Sequence, residues 1–130
     1  MPVIDMHAHV TPERYKKAIR ERGEWHGLDA VAGELGLGGF DKMLDERLAE
    51  MDSIGVDMQL VTPTVGFYQY GNDLGMTRRI ARECNDEIAE MVSAHPTRFA
   101  GLATLPMQDP PSAIVEMERT MIDLGLEGVI

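Results

Sequence analysis

Apolar residues along the chain switch between two periods, and the switches mark its elements. From Pro2 to Val10 they alternate with polar ones. Val3, Asp5, His7 and His9 fall on one side of an extended segment, and Ile4, Met6, Ala8 and Val10 on the other. That pattern predicts a strand with one ionisable face and one apolar face. Thr11-Pro12-Glu13 then offers an N-cap, a proline at the first helical position and an acid in the first turn, so a short helix is predicted through about Arg22. Between Gly23 and Gly39, glycines at 23, 27, 33, 36, 38 and 39 break any periodicity, which predicts a long loop over 23–39.

Helical spacing returns at Phe40, Met43, Leu44, Leu48, Met51 and Ile54, and Gly55 is placed to end that helix in a left-handed cap. Val56 to Thr62 is β-forming and stops at Pro63. A loop with Phe67, Tyr68 and Tyr70 leads to Asn72, a predicted N-cap. The helix that follows runs to Ala94 with Ile80, Cys84, Ile88 and Met91 on one stripe, and His95-Pro96 closes it. Phe99 to Leu105 reads as a third strand. Pro110-Pro111 opens another helix carrying Ile114, Met117, Met121 and Leu124, with Gly125 after it, and Glu127 to Ile130 begins a fourth strand.

Strands separated by helices of a dozen or more residues imply βαβ crossovers and a parallel sheet, hence the α/β class. A last parallel strand with no neighbour after it leaves an open edge. The expectation is a homo-oligomer, or completion of the sheet by another chain.

Composition narrows the function classes. The 130 residues are 44% hydrophobic and 26% charged, enough for a packed core. Lys and Arg total 12 against 22 Asp and Glu, a net charge of -10, which argues against a nucleic-acid partner that would need a basic face. No apolar run approaches the roughly 18–20 residues of a membrane span. No basic region precedes an apolar run at the N-terminus. The lone Cys84 cannot form an internal disulfide, and together these features lead to the expectation of a cytoplasmic protein.

The candidate chemistry sits in the first strand. His-x-His places two imidazoles on one face, close enough to share one metal ion, and in parallel barrels catalytic groups gather at the C-terminal ends of the strands. His7 and His9 are therefore candidate ligands. Asp5 is read as a neighbour that orients an imidazole rather than as a ligand. Arg47 interrupts the apolar stripe of its helix, between Leu44 and Leu48. It either reaches out to water or an acid from the stripe's edge, or forms a two-pronged clamp for a substrate carboxylate. His26 reads as a surface or packing residue. Phe67, Tyr68 and Tyr70 either line a pocket for a flat substrate or pack the loop. No Gly-rich phosphate loop, Gly-x-Ser-x-Gly elbow or Cys-x-x-Cys pair is present.

Ile4-Asp5-Met6-His7-Ala8-His9 with Thr11-Pro12, Arg47 to Asp52 with Gly55-Val56, and Asn85-Asp86 through His95-Pro96-Thr97-Arg98-Phe99 to Gly101–Gln108 occur in that order. Together they resemble the aminocarboxymuconate-semialdehyde decarboxylase-like branch of the amidohydrolase superfamily. The resemblance implies a (β/α)8 barrel of the TIM type, with residues 1–130 forming its N-terminal part of three to four βα units. It further implies a divalent metal, usually zinc and in some branches manganese, held by His7 and His9, and Arg47 on the carboxylate of a small-molecule substrate. The remaining ligands and the catalytic residues would lie beyond Ile130. The implied activity is decarboxylation of an unsaturated or aromatic acid. A lactonase-like hydrolase on the same scaffold, or a non-catalytic partial barrel acting in assembly, are the alternatives.

Overall fold

The computed structural model describes residues 1–29 and 42–130. Four strands, β1 (Ile4–Val10), β4 (Met58–Pro63), β5 (Phe99–Ala103) and β6 (Gly128–Val129), form one sheet in that order, and every pair is parallel. Between β1 and β4 lie α1 (Glu13–Glu21), a hairpin of β2 (Glu24–Trp25) and β3 (Leu28–Asp29), and α2 (Leu44–Ile54). The helix α3 (Leu74–Ala94) joins β4 to β5, and α4 (Pro110–Glu118), continued by a π-helical turn (Arg119–Asp123), joins β5 to β6.

Successive strands of this sheet lie side by side in chain order, and the described helices cover one face only. Met51 of α2, Ile88 of α3 and Leu126 pack with Ala8, Val61, Phe99 and Ala103 in one buried cluster. Among the described residues the opposite face is left open, with Ile4 47% and Met6 66% exposed. Chain-order neighbours with helices on a single side form the wall of a (β/α) barrel, whereas a doubly wound sheet carries helices on both sides. Gly101 is required where α3 and Leu126 approach β5: a Cβ there would lie 2.5 Å from Ile88 Cγ2 and 2.9 Å from Leu126 Cδ2.

Most element ends fall where the sequence puts them. Gly55 (φ 71°) and Gly125 (φ 67°) take the left-handed conformation after their helices. Three details differ. The N-cap of α3 is Asp73, whose carboxylate accepts the Met76 N–H at 3.0 Å, rather than Asn72. Pro12 occupies the cap position of α1, and the Glu87 carboxylate from α3 accepts the Glu13 and Arg14 N–H groups there. The first part of the expected 23–39 loop is the β2–β3 hairpin, turning at His26 (φ 55°) and Gly27 (φ 93°) as a two-residue hairpin turn requires. The rest of that loop, and the expected helix start at Phe40, lie outside the described residues.

A second buried cluster explains the aromatic residues. Tyr15, Trp25 and Phe67 meet edge to face, with ring centroids 5.0–5.5 Å apart. Phe67 is therefore core, and loop packing rather than pocket lining is its role. Tyr68 and Tyr70 stack on each other outside it. His26 bonds Glu83 of α3 and lies against Trp25, a packing position.

Candidate metal centre

The first strand does not alternate evenly. Asp5 pairs with Gln59 and Ala8 with Val61, so two residues of β1, Met6 and His7, stand opposite the single Leu60 of β4. This is a β-bulge, and it shifts the side-chain pattern by one. Val61 and Ala8 face the helices, and so do Gln59 and its partner Asp5 on the other side of the bulge. His7 and His9 face the open side. The expectation that Asp5 shares a face with the two histidines is corrected here: the extra residue between Asp5 and Ala8 turns Asp5 toward the helices.

Beyond the bulge the two imidazoles converge. Their Nε2 atoms are 3.0 Å apart, with ring centroids at 4.7 Å and planes at 85°. Two nitrogen ligands about 2.0–2.1 Å from one ion, at angles of about 90–110°, are separated by about 2.9–3.4 Å. The pair fits one divalent ion. His9 Nδ1 lies 3.2 Å from the Pro63 carbonyl, which can only accept, so the hydrogen-bond network assigns the proton to Nδ1 and leaves the Nε2 lone pair for a ligand. Among the described residues no group of three or more His, Cys, Asp or Glu gathers that could hold a metal ion, so the described candidate ligands are the two imidazoles.

The Asp5 carboxylate touches neither ring. Its Oδ1 accepts the His7 backbone N–H at 3.1 Å, and its Oδ2 accepts Gln59 Nε2 at 3.0 Å.

Arg47 lies on the helix-facing side, where α2 crosses the strands. Its Nη1 donates to Gln59 Oε1 at 3.0 Å and its Nη2 to the His9 carbonyl at 2.6 Å. Burial lowers its pKa from the ordinary value, and the charges of Glu50 and Asp5 partly oppose that. The structure thus does not bring the guanidinium to the side of the imidazole nitrogens, where a substrate on the ion would sit. Both prongs of the Arg47 fork are bonded to the sheet in this geometry, one to Gln59 and one to the His9 carbonyl. Neither arm of the sequence reading anticipated a main-chain partner.

Gln59 is the residue that sequence reasoning missed. The available signal was an amide in the otherwise apolar run Met58-Gln59-Leu60-Val61, buried at 9% exposure, which must find polar partners there.

The family model for amidohydrolases matches residues 4–130. The chain belongs to the amidohydrolase family. A 2-amino-3-carboxymuconate-6-semialdehyde decarboxylase from Dictyostelium discoideum is 31% identical over 97% of this amidohydrolase chain and 39% of its own length. The crystal structure of a 5-carboxyvanillate decarboxylase from Sphingomonas paucimobilis superposes with a TM-score of 0.77 at 36% identity, covering 98% of this chain and 42% of that one. A dihydroxybenzoic acid decarboxylase from Polaromonas sp. JS666, solved with bound manganese and the inhibitor 2-nitroresorcinol, gives 0.74 at 30% identity, over 99% and 38%. The amidohydrolase chain therefore spans about two fifths of the length of these relatives. Its wall of parallel strands is a portion of a TIM-type barrel. No described helix is long and apolar enough to cross a membrane.

Proposed function

We propose that this amidohydrolase chain carries the first two metal ligands, His7 and His9, of a metal-dependent decarboxylase acting on an aromatic or unsaturated carboxylic acid. The convergence of the two Nε2 atoms to 3.0 Å at the C-terminal end of β1 carries the reading. The likeness to decarboxylases, one of them with bound manganese, supports both the reaction and the class of ion. Manganese is the first choice on that ground, and zinc equally suits two imidazoles.

The ion, when bound, polarises the acid and lowers the pKa of coordinated water. The chain's own residues hold and orient it. The Pro63 carbonyl fixes the His9 tautomer, and the open strand face bearing Ile4, Met6 and the two histidines admits the substrate. Association with a further copy belongs to the same reading, on the exposed apolar residues Ile114, Val115 and Ile122. The lone buried Cys84 suits a reducing, cytoplasmic setting.

The test is carbon dioxide release from dihydroxybenzoate-type and carboxymuconate-type acids by the natural protein, stripped of metal and then resupplied with manganese. Metal-restored release that disappears in His7→Ala and His9→Ala supports the reading. Ring opening of lactones without carbon dioxide release would favour the hydrolase alternative instead.

A further inference from the structure

A closed circuit of hydrogen bonds links the backbones of the two histidines through the helix-facing side of the sheet. It begins at the His7 N–H, held by Asp5 Oδ1 at 3.1 Å, and passes from Asp5 Oδ2 to Gln59 Nε2 at 3.0 Å. Gln59 Oε1 accepts from Arg47 Nη1 at 3.0 Å, and Arg47 Nη2 ends the path on the His9 carbonyl at 2.6 Å. We propose that Arg47 and Gln59 are positioning residues that set the spacing of the His7 and His9 imidazoles across the bulge. This rests on the reading of that pair as a metal centre.

The bulge is what makes such a device necessary. Regular pairing fixes a strand residue through its ladder, but a bulge leaves one residue unpaired and bends the strand locally. The irregularity spans Asp5 to Ala8, so His7 sits inside it. Regular β pairing alone does not determine how His7 stands relative to His9. The Asp5 carboxylate supplies a substitute partner for the His7 N–H, and Gln59 fixes that carboxylate by its other oxygen. Arg47 then ties the same amide to the carbonyl of the second ligand residue.

The chemistry of Arg47 points the same way. No described carboxylate lies within ion-pair distance of this buried guanidinium. A buried charge without a direct counter-ion costs stability unless its hydrogen bonds offset the loss of water, and apolar side chains of similar volume often replace even paired buried charges without loss. What the guanidinium supplies here that an apolar side chain cannot is a planar fork, two donors at a fixed angle, one for the Gln59 amide and one for the His9 carbonyl. Groups that orient metal ligands typically change metal affinity by about 10–100-fold when removed.

The test compares manganese and zinc affinity, by calorimetry, in the 1–130 chain and in Arg47→Met, Arg47→Lys, Gln59→Leu and His7→Ala. Circular dichroism at the same temperature reports the folded fraction. Affinity should fall about ten-fold or more in Arg47→Met and Gln59→Leu, partly recover in Arg47→Lys, and vanish in His7→Ala. Folded Arg47→Met and Gln59→Leu proteins that bind as the wild type does, with binding lost only in His7→Ala, would overturn the positioning role and leave the metal centre standing. Wild-type binding unaffected by His7→Ala would overturn both. Should the circuit variants fail to fold, amide hydrogen exchange on the wild type decides: the His7 N–H, on an exposed residue, should exchange slowly, and exchange at the rate of an open loop would overturn the proposal.

Discussion

Asn85 grips Thr104 by both of its main-chain groups. The Asn85 Oδ1 accepts the Thr104 N–H at 2.8 Å, and its Nδ2 donates to the Thr104 carbonyl at 3.0 Å and to Glu116 Oε1 at 2.8 Å. One fully buried amide thereby fastens α3 to the C-terminal end of β5 and to α4, the end at which barrel enzymes assemble their sites. Glu116 in turn pairs with Arg119, which reaches Asp86, so Asn85-Asp86 anchors both halves of one network. The bonds from Glu116, with those from Asp86, raise the Arg119 pKa above its ordinary value despite partial burial.

Replacing Asn85 with Ala leaves two backbone groups of Thr104 and one oxygen of Glu116 without this partner. Unsatisfied buried groups cost about 1–3 kcal/mol each, and partial relaxation brings the expected loss to about 2–4 kcal/mol. Urea denaturation at pH 7 measures it. A midpoint equal to that of the wild type would show that the amide is dispensable.

Gly101→Ala tests the close approach of helix to sheet. The new methyl would meet Ile88 Cγ2 at 2.5 Å and Leu126 Cδ2 at 2.9 Å, both in the buried cluster. Overpacking of this kind costs about 1–3 kcal/mol. Thermal unfolding should shift down by several degrees, and an unchanged midpoint would mean that α3 can move aside freely.

Glu87 gives a pH-dependent signature. Burial raises its pKa from the ordinary 4.5, while the Glu13 and Arg14 N–H groups and the Arg14 charge hold the rise in check. The folded state therefore takes up the proton more readily than the unfolded chain. The Glu87 contribution to stability is fully present below about pH 4.5 and is lost as pH rises through the raised folded value. Glu87→Gln removes that proton uptake. The stability of the variant relative to wild type should rise between pH 4 and pH 7 in paired denaturant titrations, and a constant difference would contradict the assignment.

The parts of this fold that depend on neighbours in sequence were legible in advance. Strand-helix alternation, the left-handed Gly55, the helix end at Gly125 and the shared side of His7 and His9 all follow from local periodicity and residue type. What escaped the sequence depends on partners far along the chain. The bulge in β1 forms around Asp5, whose second partner Gln59 lies 54 positions away, so counting by twos placed Asp5 on the wrong face. The role of Arg47 turns on a carbonyl 38 residues earlier, which no helical wheel displays. The cap of α1 is likewise supplied by Glu87, 74 residues on, rather than by the local Thr11.

Binding of one divalent ion by His7 and His9 together is read out by the manganese bound per chain. Equilibrium dialysis of the 1–130 chain against manganese at pH 7.5, with electron paramagnetic resonance of the bound ion, counts sites and reports nitrogen coordination. One site per chain is expected, weak because two imidazoles leave at least half of the coordination shell to oxygen ligands, with nitrogen couplings lost and the site abolished in His7→Ala and in His9→Ala. Manganese bound equally by the wild type and both variants, or a bound ion without nitrogen ligands, would contradict it.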